Sequence, residues 1–216
     1  MKVVNFSQSD SIINKFVAEL RDVNIQNDRM RFRRNVERIG EAIAYEISRT
    51  LHYETVSVTT PLGVADASLP ADQIVAGTIL RAGLPLHNGV LNVFDDAENA
   101  FVSAYRKYDD EINFDIHIEY IASPSLDGKV LLLSDPMLAT GGSMELAYEA
   151  LLTKGTPDRV HLISIIASRQ AVDYVQEHFP EDTTLWVGAI DEFLDPHKYI
   201  VPGLGDAGDL AFGEKE

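Results

Sequence analysis

The stretch best equipped for chemistry reads Val130-Leu131-Leu132-Leu133-Ser134-Asp135-Pro136-Met137-Leu138-Ala139-Thr140-Gly141-Gly142-Ser143. An apolar run ends in an aspartate, and a short loop leads to Thr-Gly-Gly-Ser at the start of a predicted helix. Free backbone N–H groups at a helix start attract anions, and Gly141 and Gly142 let a phosphate come close. Thr140 and Ser143 add hydroxyl donors. Asp135 would repel a phosphate set beside it, so its fitting partners are sugar hydroxyls. An anion cradle at one end and a hydroxyl acceptor at the other match a ribose 5-phosphate. Taken alone, Thr-Gly-Gly-Ser also fits an ordinary helix cap. The lysine of a P-loop and the G-x-G-x-x-G pattern are both absent.

Three other stretches could meet a substrate. In Leu80-Arg81-Ala82-Gly83-Leu84, small residues leave backbone amides accessible, and Arg81 offers a forked donor for phosphate oxygens. A surface salt bridge at a helix start fits the same residues. Tyr105-Arg106 closes another predicted strand, followed by Lys107 and the acidic Asp109-Asp110-Glu111. The C-terminal run is Tyr199-Ile200-Val201-Pro202-Gly203-Leu204-Gly205-Asp206-Ala207-Gly208-Asp209. Its three glycines in six residues, from Gly203, exclude a stable helix or interior strand and leave the backbone bare. The six histidines show no metal-ligand spacing, and His161 reads as a packed strand residue.

Positioning these loops requires a scaffold. Phe32, Val36, Ile39, Ile43, Ile47 and Leu51 recur at spacings of three and four, which predicts a helix over 32–51. Arg29, Arg31, Arg33, Arg34 and Arg38 crowd its start. That cluster fits a solvated or subunit-facing patch, or an anion or effector contact, and it opposes the helix dipole. Residues 55–60 and 64–69 flank Pro61-Leu62-Gly63 as a hairpin. Strands follow over 73–80, 100–106, 112–121, 129–134, 159–167 and 183–187, with helices over 84–94, 142–152 and 170–178. Continuous apolar strands alternating with helices predict a parallel sheet covered on both faces. Such sheets bind ligands at the C-terminal ends of their strands, so the loops after Leu80, Ser134, Ala167 and Val187 matter most.

Composition narrows the function. The chain has 216 residues, and 34 acidic against 18 basic side chains give a formal charge of −16. That balance argues against broad nucleic-acid binding and against anionic membrane surfaces. Hydrophobic residues at 45% and charged residues at 24% fit one ordinary globular domain over 1–216. The absence of cysteine excludes disulfides, thiolate nucleophiles and cysteine metal sites. Residues 1–10 lack the pattern of a signal peptide, and the longest apolar runs fall far below the ~18 residues of a membrane helix. A cytoplasmic protein is expected.

Together and in this order, the loops resemble those of the phosphoribosyltransferases. Residues 135–143 resemble the family's phosphoribosyl pyrophosphate signature in the form used by its uracil branch, with Pro136 where most relatives carry a second acid. The resemblance runs from about residue 77 to residue 213 and more weakly over 31–51. It implies a type I phosphoribosyltransferase fold: an α/β architecture with a central parallel sheet flanked by helices. It also implies an N-terminal helical segment (1–54), a protruding β-arm (104–122) and a C-terminal uracil-binding hood (188–216). The implied reaction transfers phosphoribosyl from phosphoribosyl pyrophosphate to N1 of uracil.

By the same resemblance, Arg81, Arg106, Asp135 and Asp206 are catalytic. Arg81, Arg106, residues 135–143 and Asp206 hold phosphoribosyl pyrophosphate; Ile200, Gly205, Asp206 and Ala207 hold uracil. A non-proline cis peptide is implied near residues 80–82. Mg²⁺ would ride on the pyrophosphate with no direct protein ligand. A homodimer or larger assembly is implied, with a GTP effector as a further option. Uracil presents acceptor, donor, acceptor along one edge. Two backbone N–H groups around one C=O would read it, and cytosine would set donor against donor at a cost of about 1–3 kcal/mol.

Other readings are transfer to a different base, a uridine-nucleotide-sensing RNA regulator on the same fold, and a silent binding protein. The regulator needs a basic RNA face, which the charge of −16 disfavours. Departures from the family pattern are Leu210 in place of a basic residue, Ser168-Arg169-Gln170, and Pro85-Leu86-His87.

Overall fold

In chain order the elements are β1 (Lys2–Asn5), a 3-10 turn (Phe6–Gln8), α1 (Ile12–Arg21), α2 (Arg29–Ser48), β2 (Tyr53–Thr60), β3 (Gly63–Pro70), β4 (Ile74–Leu80) and α3 (Leu84–Leu91). Then come β5 (Glu98–Tyr108), β6 (Phe114–Ala122), β7 (Val130–Ser134), β8 (Met137–Leu138), α4 (Gly142–Leu152), β9 (Arg159–Ser168) and α5 (Arg169–His178). The chain closes with β10 (Thr184–Asp191), β11 (Phe193–Leu194), β12 (Ile200–Val201) and α6 (Ala207–Phe212). This is a computed structural model; it describes residues 1–108 and 114–215, and side chains for 1–103 and 119–215.

The main sheet runs β1-β10-β9-β7-β4-β5-β6, with β8 beside β9. Its pairings are parallel except β5 with β6. The composition of the central strands explains why. In β7 every residue is buried, because helices cover both faces. Leu132 packs towards α1, α2 and α3, while Leu131 and Leu133 pack towards α4 and α5. Each such leucine contributes about 1.5–3 kcal/mol by burial. Registers Thr78 with Ser134, and Ser134 with Ile163, set the C-terminal ends of β4, β7 and β9 side by side.

The N-terminal third differs from expectation. β1 adds an edge strand beside β10, and α1 packs Ile13, Val17 and Leu20 into the core. The long helix α2 begins at Arg29 instead of residue 32, because Asp28 caps it by accepting from the Arg31 N–H at 3.0 Å. The basic cluster at that start is largely partnered. Arg31 donates to both carboxylate oxygens of Glu19 at 2.9 and 3.1 Å. Arg34 pairs with Glu37 at 2.6 Å, and Arg38 lies over the Phe16 ring at 5.5 Å. Carboxylates thus offset the unfavourable dipole contact.

The hairpin β2–β3 forms where the sequence predicts it, but it pairs only with itself. It exposes Val56, Val58, Leu62 and Val64. Among the described residues no helix is long and apolar enough to cross a membrane.

Candidate active site

A cleft of about 550 Å³ opens at the C-terminal ends of the strands. Its lining includes Arg81, Asp135, Met137, Ala139 and Ser143. Ile200, Gly205, Asp206 and Ala207 line the same cleft. Three predicted stretches that lie far apart in the chain therefore meet in one place. Pro136 and Leu138 bury their side chains, so their offer to a ligand is backbone only. Thr140, Gly141 and Gly142 complete the loop between Ala139 and Ser143 without appearing in the cleft wall.

The loop after β7 is held at both ends. The Asp135 N–H donates to the Ile163 carbonyl at 3.0 Å, extending the ladder by one residue. The Asp135 carboxylate accepts from the Met137 N–H at 3.3 Å, which turns the chain. Ser168 supplies the far anchor: its hydroxyl donates to the Ala139 carbonyl at 2.6 Å and accepts from the Ala171 N–H at 2.9 Å. One of the family departures thus caps α5 and ties down the loop. Gly141 precedes α4 at φ +90, with no side-chain cap. A Cβ there would stand 2.5 Å from the Tyr174 ring, so glycine is required by both conformation and space.

The second loop leaves β4. The Leu80–Arg81 peptide is cis, inside the expected window. A Cβ on Gly83 would lie 2.1 Å from Thr78 Oγ1, so the chain can turn into α3 only without a side chain there. Pro85 sits in the first turn of α3, where a missing N–H is tolerated. Arg81 donates to Asp209 at 3.0 Å and to the Gly213 carbonyl at 3.4 Å. Arg106 pairs with Ile116 across β5 and β6; its side chain, and the Asp109-Asp110-Glu111 tip, lie outside the described residues.

The third loop is clamped from the N-terminal half of the chain. Buried Asp191, at the end of β10, accepts from both terminal nitrogens of Arg21 at 2.7 and 2.9 Å. The same pair grips Gly203: its N–H donates to Asp191 at 2.9 Å, and Arg21 donates to its carbonyl at 2.9 Å. Gln26 donates to the Leu204 carbonyl at 3.0 Å, and Arg33 to the Ala211 carbonyl at 2.7 Å. One expectation is corrected here. The glycine-rich run does not stay irregular throughout, because α6 begins at Ala207 and contains Gly208. Asp206 caps it by accepting from the Asp209 N–H at 2.9 Å, and Ala207 and Ala211 pack into the core.

Sequence reasoning missed Arg21, Gln26 and Asp191, which hold the third loop, and Lys198 and Lys215, which line the cleft. With Arg81, which is paired with Asp209, these lysines bring three cations to a cleft that also carries Asp135 and Asp206. His161 packs in the core, as expected. Burial pushes it down to about 4, and its Nδ1 accepts from Trp186 at 3.1 Å.

The mostly parallel sheet, with the loop that opens α4 beside the loop that leaves β4, has the type I phosphoribosyltransferase fold. A hypoxanthine phosphoribosyltransferase from Staphylococcus aureus shares the fold alone, with a TM-score of 0.52, 12% identity, and 86% and 83% of the two chains covered. The AQ2163 protein from Aquifex aeolicus is far more similar: TM-score 0.88, 31% identity, 98% of both chains. The family model described as uracil phosphoribosyltransferase matches residues 7–214. A uracil phosphoribosyltransferase from Porphyromonas gingivalis is 64% identical over 215 residues, covering 100% of both chains. One from Methanothermobacter thermautotrophicus is 45% identical, covering 84% of this chain and 83% of its own. The chain belongs to the uracil phosphoribosyltransferase family.

Proposed function

We propose that this chain transfers the 5-phosphoribosyl group of phosphoribosyl pyrophosphate to N1 of uracil, releasing UMP and pyrophosphate. The observation that carries the reading is the convergence of the three loops on one cleft. The C1′–O bond to pyrophosphate breaks, the C1′–N1 bond forms, and the N1 proton departs. No nucleophilic side chain is needed. Catalysis is positioning plus electrostatics.

In this reading the amides and hydroxyls of residues 140–143 hold the 5′-phosphate, and Asp135 accepts from the ribose hydroxyls. Arg81 and Arg106 stabilise the departing pyrophosphate. Arg81 already meets a carboxylate, Asp209, and its fork matches a pyrophosphate oxygen by the same charge-assisted geometry. Ile200, Gly205 and Ala207 offer backbone groups to uracil. Asp206, in the same cleft, orients the substrate or accepts the N1 proton. Asp135 and Asp206 are hard oxygen donors of the kind that suits Mg²⁺. That ion, carried on the pyrophosphate, supplies charge neutralisation of the leaving group.

A homodimer belongs to the reading. An isolated two-stranded hairpin is marginal in water, and the exposed valines of β2–β3 support its burial against a second copy. A cytoplasmic place of work is in keeping with a chain that has no cysteine. Steady-state rates with uracil, cytosine, hypoxanthine and adenine test the base. Turnover confined to uracil is expected, and equal turnover of cytosine would refute backbone reading of the base.

A further inference from the structure

Behind the loop that opens α4 stands a side chain outside every role above. Tyr174 of α5 lays its ring against Gly141, close enough that a Cβ on that glycine would collide with three ring carbons at 2.5–3.3 Å. The Tyr174 hydroxyl donates to Glu145 Oε2 in a short hydrogen bond. His178 stacks on the same ring, with centroids 3.9 Å apart and planes 15° apart. His178 is held there through its Nδ1, 2.7 Å from the Tyr174 carbonyl. The ring is therefore held by both the loop and its own helix.

Glu145 makes this arrangement consequential. It lies in the first turn of α4, and its N–H closes that turn on the Gly141 carbonyl at 3.0 Å. Side chains on a helix lean towards its N-terminus, and a carboxylate there is drawn to the unsatisfied amides. Those amides are the ones assigned to the 5′-phosphate. Glu145 is thus an internal competitor for the anion cradle, four residues from Gly141 in the chain. The bond to Tyr174 turns its carboxylate towards α5 instead. The same bond is the chief reason the phenol is pushed up to about 12, with burial and the nearby Glu149 adding to it.

We propose that Tyr174 is a positioning residue for phosphate binding: its ring sets Gly141, and its hydroxyl keeps the Glu145 carboxylate out of the cradle. This rests on reading residues 140–143 as the 5′-phosphate site. Tyr174→Phe preserves the ring and frees Glu145. It should raise KM for phosphoribosyl pyrophosphate and the calorimetric Kd of ribose 5-phosphate roughly three- to tenfold, with kcat within about twofold. Adding Glu145→Gln to that variant should return both constants to within about twofold of the unsubstituted protein. Unchanged constants in Tyr174→Phe would overturn the proposal. So would a double variant as weak as the single one, which would leave Tyr174 as loop support only. Either result in the variants, alongside UMP formation by the unsubstituted protein, separates this failure from that of the parent reading. Absence of both UMP formation and ribose 5-phosphate binding in the unsubstituted protein would remove the two together.

Discussion

Asp191→Asn is the most informative single change, because it alters charge without altering shape. Asp191 is the hub between Arg21 and Gly203, with side-chain exposures of 9% for Asp191 and 23% for Arg21. The aspartate accepts three hydrogen bonds, two from the guanidinium and one from the Gly203 N–H. Asparagine keeps one acceptor oxygen and turns an N–H₂ towards a donor. A hydrogen bond to a charged group is worth about 1.5–3 kcal/mol, and breaking a buried pair costs about 3–5 kcal/mol. One acceptor survives and Arg21 is partly solvated, so a loss of about 2 kcal/mol is reasonable. That corresponds to roughly thirtyfold in the equilibrium between the held and released third loop. Initial rates at saturating phosphoribosyl pyrophosphate, with uracil varied, should show KM for uracil rising about fivefold or more. KM for phosphoribosyl pyrophosphate should stay within about twofold, and Tm should fall by about 4–8 °C. A fall in Tm with an unchanged KM for uracil would refute the reasoning, since the clamp would then support the fold but not the base-reading loop.

Other outcomes follow from single features. Gly141→Ala forces a Cβ into the Tyr174 ring at φ +90 and should cut kcat/KM for phosphoribosyl pyrophosphate by about tenfold or more; near-normal kinetics would contradict the geometry. Asp206→Asn keeps a competent cap on α6, so Tm should move by less than about 2 °C while turnover drops sharply. Turnover close to normal would take Asp206 out of the mechanism. His161 is held neutral at about 4 against 6.5 in the unfolded chain, so between those values the unfolded state binds the extra proton. Stability is then full above pH 6.5 and erodes by roughly 3 kcal/mol as the pH falls towards 4. His161→Asn, which retains an acceptor for Trp186, should flatten the decline of Tm between pH 7 and 5. Parallel curves for the two proteins would be the contrary result.

Much of the site was legible because its signals are local. The apolar run of β7, the glycines after it and the apolar spacing of α4 lie within about twenty residues, and the bounds of α4, Gly142–Leu152, coincide with the prediction. Fully buried parallel strands announce themselves as uninterrupted apolar runs, which made the central sheet readable. What could not be read depends on partners far apart in sequence. Arg21 and Asp191 are separated by 170 positions, and neither carries a local pattern that points to the other. β1 has four residues and owes its existence to β10, at the opposite end of the chain. The basic start of α2 looked like a conflict because Glu19, which relieves it, sits on another helix. The helix α6 hid within a glycine-rich run because Asp206 and two core alanines outweigh the poor propensity of Gly208.

The central claim is a reaction, and its most direct test is to watch the reaction's phosphorus. The protein is incubated with uracil, phosphoribosyl pyrophosphate and Mg²⁺ and followed by ³¹P nuclear magnetic resonance. The account predicts that the substrate resonances give way to those of UMP and pyrophosphate in equal amounts, and only when uracil is present. Phosphoribosyl pyrophosphate left intact, or consumed at the same rate without uracil, would contradict it.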